Sequence, residues 1–276
     1  MSIQLARQGV KNLGYYNFSL VRRHISYRKL TTASTSSVNE EEIKFFSRLS
    51  SQWWDENGEF GLLHKMNPVR VQFIRDKLSE VAQGIGPEPA TRSEKILSGL
   101  NILDIGSGGG LLSESLTRLG ANTTGIDAST SNIAISSLHA SQDPSLSSLT
   151  YRNVSAEELV KEDKRFDVVC SMEVLEHVDN PAAFLRSCSE LVKPGGHLFL
   201  STISRTPFAY LLTIFAAEKL LRLVEPGTHT FSKYVKPSEL VDFFRRPVAS
   251  GGRPWISGTS FTSLSRHEAE NSCSII

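Results

Sequence analysis

Two glutamates and a histidine stand close together in the segment SMEVLEHV, residues 171 to 178. Glu173, Glu176 and His177 are spaced i, i+3 and i+4, so one helical turn would place their side chains on the same face. Two carboxylates and an imidazole can hold a divalent cation, and oxygen-rich ligation suits magnesium or manganese better than zinc. Alternatively, His177 acts as a general base that the glutamates orient. A solvated acidic turn is the third interpretation of this spacing.

A glycine-rich loop lies upstream, in LDIGSGGG at residues 103 to 110. A dinucleotide-binding fingerprint counted from Gly106 requires a small residue at its sixth position, which is Leu111 here. This position disfavours a nicotinamide-dependent oxidoreductase. The observed G-x-G-x-G spacing, preceded by Asp104, resembles motif I of class I S-adenosylmethionine-dependent methyltransferases.

Asp127 follows Gly106 by 21 residues, at the end of a predicted strand. Its carboxylate can accept hydrogen bonds from both ribose hydroxyls of an adenosine cofactor. Aspartate at a strand end is also a common turn or helix-cap residue. We favour the ribose role because the position relative to the glycines fits it. Met172 and Val174 are expected to face the adenine and the core.

Strands and helices alternate from Asn101 onward. Strands are predicted at NILDIG, NTTGID, LTYRNV, FDVVCSM and GHLFLST, and helices at 111–119, 132–139 and 181–191. This alternation implies an α/β fold with a doubly wound, mostly parallel, Rossmann-like sheet. Ligands bind such sheets at the carboxyl ends of the strands, where all the candidate residues lie.

The upstream part of the chain is expected to form a helical cap with a linker, residues 36–95, before a main domain at residues 96–240. Asn39 and Glu42 can cap a first helix, and a second is predicted to start at Asn67–Pro68. The segment 83–94, with two prolines and two glycines, is interpreted as the linker.

Composition excludes several classes of protein. A net charge of +1 over 276 residues does not favour nucleic-acid binding, and no apolar run is long enough for a membrane-spanning helix. The three cysteines have no metal-binding spacing and are interpreted as unpaired thiols. Six basic residues precede the first acid, Glu40, so residues 1–35 are predicted to be a mitochondrial transit peptide, the alternative being a disordered basic tail.

The chain resembles the ubiquinone-biosynthesis O-methyltransferase family, its mitochondrial branch in particular, from about Glu40 to Leu240. The segments that carry the resemblance are WWDENGEFGLLHKMNPVR, LDIGSGGG, GID, FDVVCSMEVLEHV, LVKPGGHLFLSTISR and EPGTHTFSKYVKPSEL. The resemblance implies that S-adenosylmethionine is contacted by Arg70, Gly106, Asp127 and Met172. It also implies a divalent cation, magnesium by preference, that is held by Glu173, Glu176 and His177.

The same resemblance implies methyl transfer to a hydroxyl of a polyprenylated dihydroxybenzoate and of demethylubiquinol, with His177 and Glu173 as catalytic residues. It further implies a peripheral location on the matrix side of the mitochondrial inner membrane, in a complex with other ubiquinone-biosynthesis proteins. The apolar insertion 207–224 suits a helix that lies on a lipid surface, although a helix buried in the core or against a partner subunit would have the same composition.

The chain departs from the family pattern after Leu240. Residues 241–276 are rich in serine, glycine and arginine and lack strand alternation, whereas the class ends its sheet with two more strands. We interpret this tail as an alternative, disordered C-terminus that lacks the closing strands and leaves the fifth strand as an exposed edge. The second functional hypothesis is therefore a catalytically inactive chain that acts as a binding subunit of the biosynthetic complex.

Overall fold

The computed structural model describes residues 36–83, 96–202, 235, 237–245, 261–263 and 273–275. The predicted transit peptide, most of the linker and the apolar insertion lie outside the described residues. The described strands form one sheet in the order β3-β2-β1-β4-β5-β7-β6, and every pairing is parallel. The strands are β1 Asn101–Ile105, β2 Asn122–Asp127, β3 Leu149–Asn153, β4 Phe166–Met172, β5 Val192–Ser201, β6 Phe261–Ser263 and β7 Cys273–Ile275.

Helices cover the sheet and add two elements before it. The α-helices are α1 Glu40–Leu49, α2 Gly61–Gln83, α3 Leu111–Arg118, α4 Thr130–Ala140, α5 Ala156–Val160, α6 Pro181–Glu190 and α7 Pro237–Arg245. The strand order reverses between β1 and β4, which makes their carboxyl ends the switch point of the sheet. The predicted doubly wound parallel sheet is therefore confirmed.

Apolar side chains on both faces of the central strands form the core. One cluster contains Leu103, Val169 and Leu200, and a second, on α2 and the sheet, contains Ile74 and Phe199. All five are at most 2% exposed. Continuous burial of this kind explains why β1 and β4 are nearly unbroken apolar runs in the sequence.

The predicted first helix is confirmed, but the predicted start of the second is wrong. The Asn39 side chain accepts a hydrogen bond from the Glu42 backbone N–H at 2.9 Å and so caps α1. Helix α2 begins at Gly61, so that Pro68 lies inside it. The missing N–H of proline removes one helical hydrogen bond. The N-terminal half of α2 is nevertheless held, because Asn67 Nδ2 donates to the carbonyl oxygen of Leu111 at 3.0 Å.

Two features of the C-terminal region differ from the expectation. Helix α7 crosses residue 240, and it buries Leu240 and Phe244 in the core. Strand β7 pairs with β5 at Phe199 and Leu200, so the prediction that the fifth strand has an exposed edge is wrong at these positions. The three-residue strand β7 pairs through backbone groups in extended conformation and needs no alternation of apolar and polar side chains. The sequence pattern therefore did not reveal this strand.

No helix in the part of the chain that the structure describes is both long and apolar enough to cross a membrane. The thiols of Cys170 and Cys188 are free, in agreement with the prediction of unpaired cysteines, and both are buried.

Candidate active site

A cavity of about 670 Å³ lies at the carboxyl edge of the sheet, where α1 and α2 face the ends of β1, β2 and β4. Most of its wall is apolar, with contributions from side chains such as Phe46, Phe60 and Leu63. The wall also includes every site residue that the sequence singled out. These are Arg70, Gly106, Asp127, Met172, Glu173, Glu176 and His177.

The glycine loop needs its glycines for two reasons. Gly106, Gly108 and Gly110 all have positive φ angles, of 73°, 55° and 95°, which side chains of L-residues rarely adopt. A Cβ atom at Gly106 would also clash with Val174, and one at Gly108 would clash with the ring of Trp53. The loop therefore exposes its backbone to the cavity. The side chains of Val174 and Trp53 lie against the loop and leave no space for a Cβ atom at Gly106 or Gly108.

Asp127 holds the glycine loop from the adjacent strand end. Its carboxylate accepts hydrogen bonds from the backbone N–H groups of Gly108 at 2.9 Å and Ser129 at 2.7 Å, and from Asn132 Nδ2 at 3.3 Å. Burial raises the pKa of Asp127, and these hydrogen bonds oppose the rise. A carboxylate has about four acceptor positions, so this arrangement leaves room for a ribose hydroxyl.

Arg70 is a buried cation with unused donors. Its Nη2 lies 3.4 Å from Glu173 Oε1, yet neither Nε nor Nη2 has a hydrogen-bond acceptor among the residues that the structure describes. The buried hydroxyl of Ser107 also lacks a partner within the same described set. Buried polar groups usually have partners, so orphan donors in a cavity wall fit a polar or anionic ligand. The carboxylate of S-adenosylmethionine is such a group.

Glu173 and Glu176 form a close carboxylate pair at the end of β4. Glu173 has a φ angle of 56°, a strained conformation that typically occurs at functional sites. Its Oε1 accepts a hydrogen bond from Ser201 Oγ at 2.7 Å, and Glu176 Oε2 accepts one from Thr202 Oγ1 at 3.0 Å. Burial, followed by the proximity of Glu173, raises the pKa of Glu176 to about 8.

His177 does not join this pair. Its Nδ1 lies 3.1 Å from Glu42 Oε2, and its ring packs edge-on against Phe46. The turn at Leu175–His177 is a short 3₁₀ helix that does not include Glu173, whose φ angle is positive. The expectation that one helical face presents all three side chains is therefore wrong. No cluster of three or more metal-binding side chains occurs among the described residues.

Several residues in or near the cavity had no role predicted from the sequence. Trp53 stacks on Phe60 with ring centroids 3.8 Å apart, and its Nε1 donates to Asn132 Oδ1 at 3.0 Å, so it covers the glycine loop. Asp104 is buried, and it accepts a hydrogen bond from Ser113 Oγ at 2.6 Å. Burial raises the pKa of Asp104 to about 6. A signal for Asp104 was visible in the sequence, because an acidic residue stands inside an otherwise apolar strand. The sequence contains no signal for the contact between Glu42 and His177, which are far apart in the chain.

The parallel α/β sheet, the glycine loop at its switch point and the acidic residue at the end of β2 fit an adenosine-containing cofactor, and together with a match to a methyltransferase family model they make this chain an S-adenosylmethionine-dependent methyltransferase. A family model described as "Methyltransferase domain" matches residues 70–247. Among solved structures, the magnesium protoporphyrin IX methyltransferase from Synechocystis PCC 6803 with bound SAH is 18% identical, with a TM-score of 0.49, and the match covers 73% of this chain and 82% of that chain.

Two curated relatives make the family specific. The mitochondrial ubiquinone biosynthesis O-methyltransferase of Arabidopsis thaliana is 45% identical over 221 residues, which cover 80% of this chain and 67% of that protein. The ubiquinone biosynthesis O-methyltransferase of Rhizobium etli is 44% identical over 223 residues, or 81% and 86% of the two chains. This chain belongs to the ubiquinone biosynthesis O-methyltransferase family.

Proposed function

We propose that this chain transfers a methyl group from S-adenosylmethionine to a phenolic hydroxyl of a polyprenylated dihydroxybenzoate and of demethylubiquinol. One observation carries the proposal: the carboxylate pair of buried Glu176 and half-buried Glu173 lies beside the glycine loop in a cavity whose wall is otherwise mostly apolar. Carboxylates suit a ring that carries hydroxyl groups, and the apolar wall suits the rest of an isoprenoid compound. The names of the relatives support the same substrate class.

Residues on the glycine-loop side of the cavity are assigned to the methyl donor. Arg70 and Ser107 offer unused donors to its carboxylate, Asp127 offers a remaining acceptor to its ribose, and Met172 and Gly106 provide apolar and backbone surface. Bound there, S-adenosylmethionine would supply an electrophilic methyl group attached to its own leaving group. The chain's contribution is then to align the acceptor oxygen and to remove its proton.

Glu173 and His177 are the proposed catalytic residues. A phenolic hydroxyl is a weak nucleophile until its proton moves to a base, and both side chains line the cavity next to the loop. Glu42 would orient the imidazole through the 3.1 Å contact with Nδ1, and Ser201 would orient the carboxylate of Glu173. The apolar wall would exclude water from the reacting oxygen.

A divalent cation, magnesium by preference, is a separate part of the proposal. The chemistry of Glu173 and Glu176 fits such an ion, because two neighbouring carboxylates, one of them buried, are stabilised by a positive charge. His177 forms no three-residue cluster with these carboxylates among the described residues, so its side chain would have to move to complete the set. When bound, the cation would favour the phenolate form of the acceptor.

Steady-state turnover tests the function directly. The chain without its first 35 residues is supplied with S-adenosylmethionine and a short-chain prenylated dihydroxybenzoate, with magnesium or with a chelator. We expect product, and more of it with magnesium. If the chelator does not change the amount of product, the proposed cation is wrong and the proposed methyl transfer stands. A chain that binds S-adenosylmethionine without turnover would favour the inactive binding subunit instead.

The location is also a proposal. The acid-free basic N-terminus and the mitochondrial relative from Arabidopsis support import into mitochondria, and the apolar insertion 207–224 supports peripheral attachment to the inner membrane from the matrix side. A C-terminally tagged chain should be processed on import and should co-purify with other ubiquinone-biosynthesis proteins. Deletion of residues 207–224 should release it from membranes, and retention of the deleted chain would contradict this attachment.

A further inference from the structure

The outward face of the first half of α2 carries three exposed apolar side chains beside the exposed Lys65. Leu62, Met66 and Val69 are 40%, 42% and 62% exposed, and their spacing of four and three residues places them in one stripe along the helix. Further along the same helix, the exposed positions carry Gln72 and Asp76, as is usual for a solvated surface. Single exposed hydrophobic residues are common in soluble proteins and need no explanation. Three that lie next to one another along one helix form a contiguous apolar surface, which is typical of a binding site.

This stripe is continuous with the cavity. Leu62 and Met66 belong to the cavity wall, together with Leu63 and Phe60 further inside. Val69 lies about 10 Å along the helix from Leu62, given the rise of an α-helix. Arg70, the next residue, is buried in the same cavity wall. An apolar path therefore leads from the candidate reaction site onto the surface of α2.

A ligand that follows this path must be apolar, flexible and longer than the cavity. The phenolic head group, bound at the reaction site, would not contact the outer part of the path, which faces water. We infer that the stripe Leu62–Met66–Val69 binds the isoprenoid tail of the substrate as it leaves the cavity, an inference that rests on the proposed function. Met66 suits this role, since its flexible thioether side chain adapts to irregular apolar surfaces.

The test compares substrates with and without a tail. Met66 and Val69 are replaced by serine in one double variant, M66S/V69S, which should fold because exposed positions tolerate substitution. Leu138→Ser is the matched control, because Leu138 is 58% exposed on α4 and is not part of the cavity wall. The readout is kcat/KM for farnesylated dihydroxybenzoate against that for dihydroxybenzoate itself.

We expect the ratio of kcat/KM for the farnesylated substrate to kcat/KM for the head group to fall about tenfold in the double variant and to stay constant in the control. If kcat/KM falls equally for both substrates, the substitutions affect the fold or the head-group site, and the inference is wrong. Unchanged values on both substrates would overturn it as well.

Equilibrium binding separates this inference from the proposed function. Farnesylated dihydroxybenzoate is titrated into each protein, and tryptophan fluorescence reports binding without any need for turnover. If the wild-type chain binds the compound and does not methylate it, weaker binding by the double variant alone would support the tail site although the proposed activity had failed. Loss of binding to phosphatidylcholine vesicles containing cardiolipin, with no loss of tail discrimination, would show that the stripe contacts lipid instead and would overturn the inference.

Discussion

His177 Nδ1 lies 3.1 Å from Glu42 Oε2 and thereby connects the turn after β4 to helix α1, 135 positions earlier in the chain. The contact makes α1 part of the candidate reaction site, because His177 lines the cavity and Glu42 belongs to an element outside the sheet. A carboxylate that holds one ring nitrogen fixes the direction of the other.

Replacement of Glu42 by glutamine should therefore lower kcat by about tenfold, a typical cost of losing an orienting carboxylate, while the KM for S-adenosylmethionine stays nearly constant. Glu41→Gln is the control, since Glu41 is exposed and pairs only locally with Lys44 at 3.0 Å. The two variants are compared by steady-state kinetics. Equal effects of both would show that α1 contributes only to stability.

Alanine at Gly108 should destabilise the fold more than alanine at Gly99. Both positions have positive φ angles, so each substitution carries a backbone cost of about 1–2 kcal/mol. Only Gly108 faces the Trp53 ring, whereas nothing lies within 4 Å of a Cβ atom at Gly99. Urea unfolding should show an additional loss of about 1–3 kcal/mol for Gly108→Ala. Identical losses would mean that Trp53 does not constrain the loop.

Arg70→Gln should weaken the binding of S-adenosylmethionine by roughly 10- to 100-fold, because a charge-assisted hydrogen bond inside a cavity is lost. Arg75→Gln on the same helix is the control, since Arg75 lies near Gln72 and Asp76 at the surface. Isothermal titration calorimetry measures both dissociation constants. An unchanged value for Arg70→Gln would contradict the assignment of its unused donors to the cofactor.

Asp104→Asn should stabilise the protein at neutral pH. The pKa of Asp104 is raised to about 6, so the folded state binds the proton more tightly than the unfolded state, and wild-type stability falls as the pH rises from about 4 to about 6. Asparagine remains neutral and can still accept from Ser113. The variant should therefore gain on the order of 1–3 kcal/mol over the wild type across this range, with little further change above it.

Asp143→Asn provides the opposite case. Its carboxylate is near the surface, and hydrogen bonds from Ser145 and Arg118 lower its pKa. Its asparagine variant should lose stability relative to the wild type as the pH rises through the acidic range. Thermal melts between pH 4 and pH 7 test both directions, and parallel curves for the two variants would contradict the burial of Asp104.

The sequence predicted the parts of the fold that depend on local patterns. Strands β1 and β4 are largely apolar runs, and the repeated glycines of the Gly106 loop indicate a close approach of the backbone to other groups, so β1, β4 and this loop could be located. Helix α2 was misplaced because Pro68 indicates a helix start, and only the tertiary contact of Asn67 with α3 shows why the helix continues through it.

The site was predicted less completely than the fold. All seven proposed residues line one cavity, because six of them lie at or just after strand ends that meet at the same edge, and α2 brings Arg70 to that edge. The rotation of His177 away from Glu176 depends on a 3₁₀ turn instead of an α-helical one, which a spacing of three and four residues cannot distinguish. The pairing of β7 with β5 likewise depends on backbone groups and not on side chains.

The most direct measurement is a single-turnover reaction of the complete chain with S-adenosylmethionine that carries a deuterated methyl group and with farnesylated dihydroxybenzoate. Mass spectrometry and NMR of the product identify the atom that receives the label. Transfer to a phenolic oxygen, abolished by Glu173→Gln while S-adenosylmethionine still binds, is the expected result. Label on carbon or nitrogen, or full transfer by the Glu173→Gln variant, would contradict the proposed reaction site.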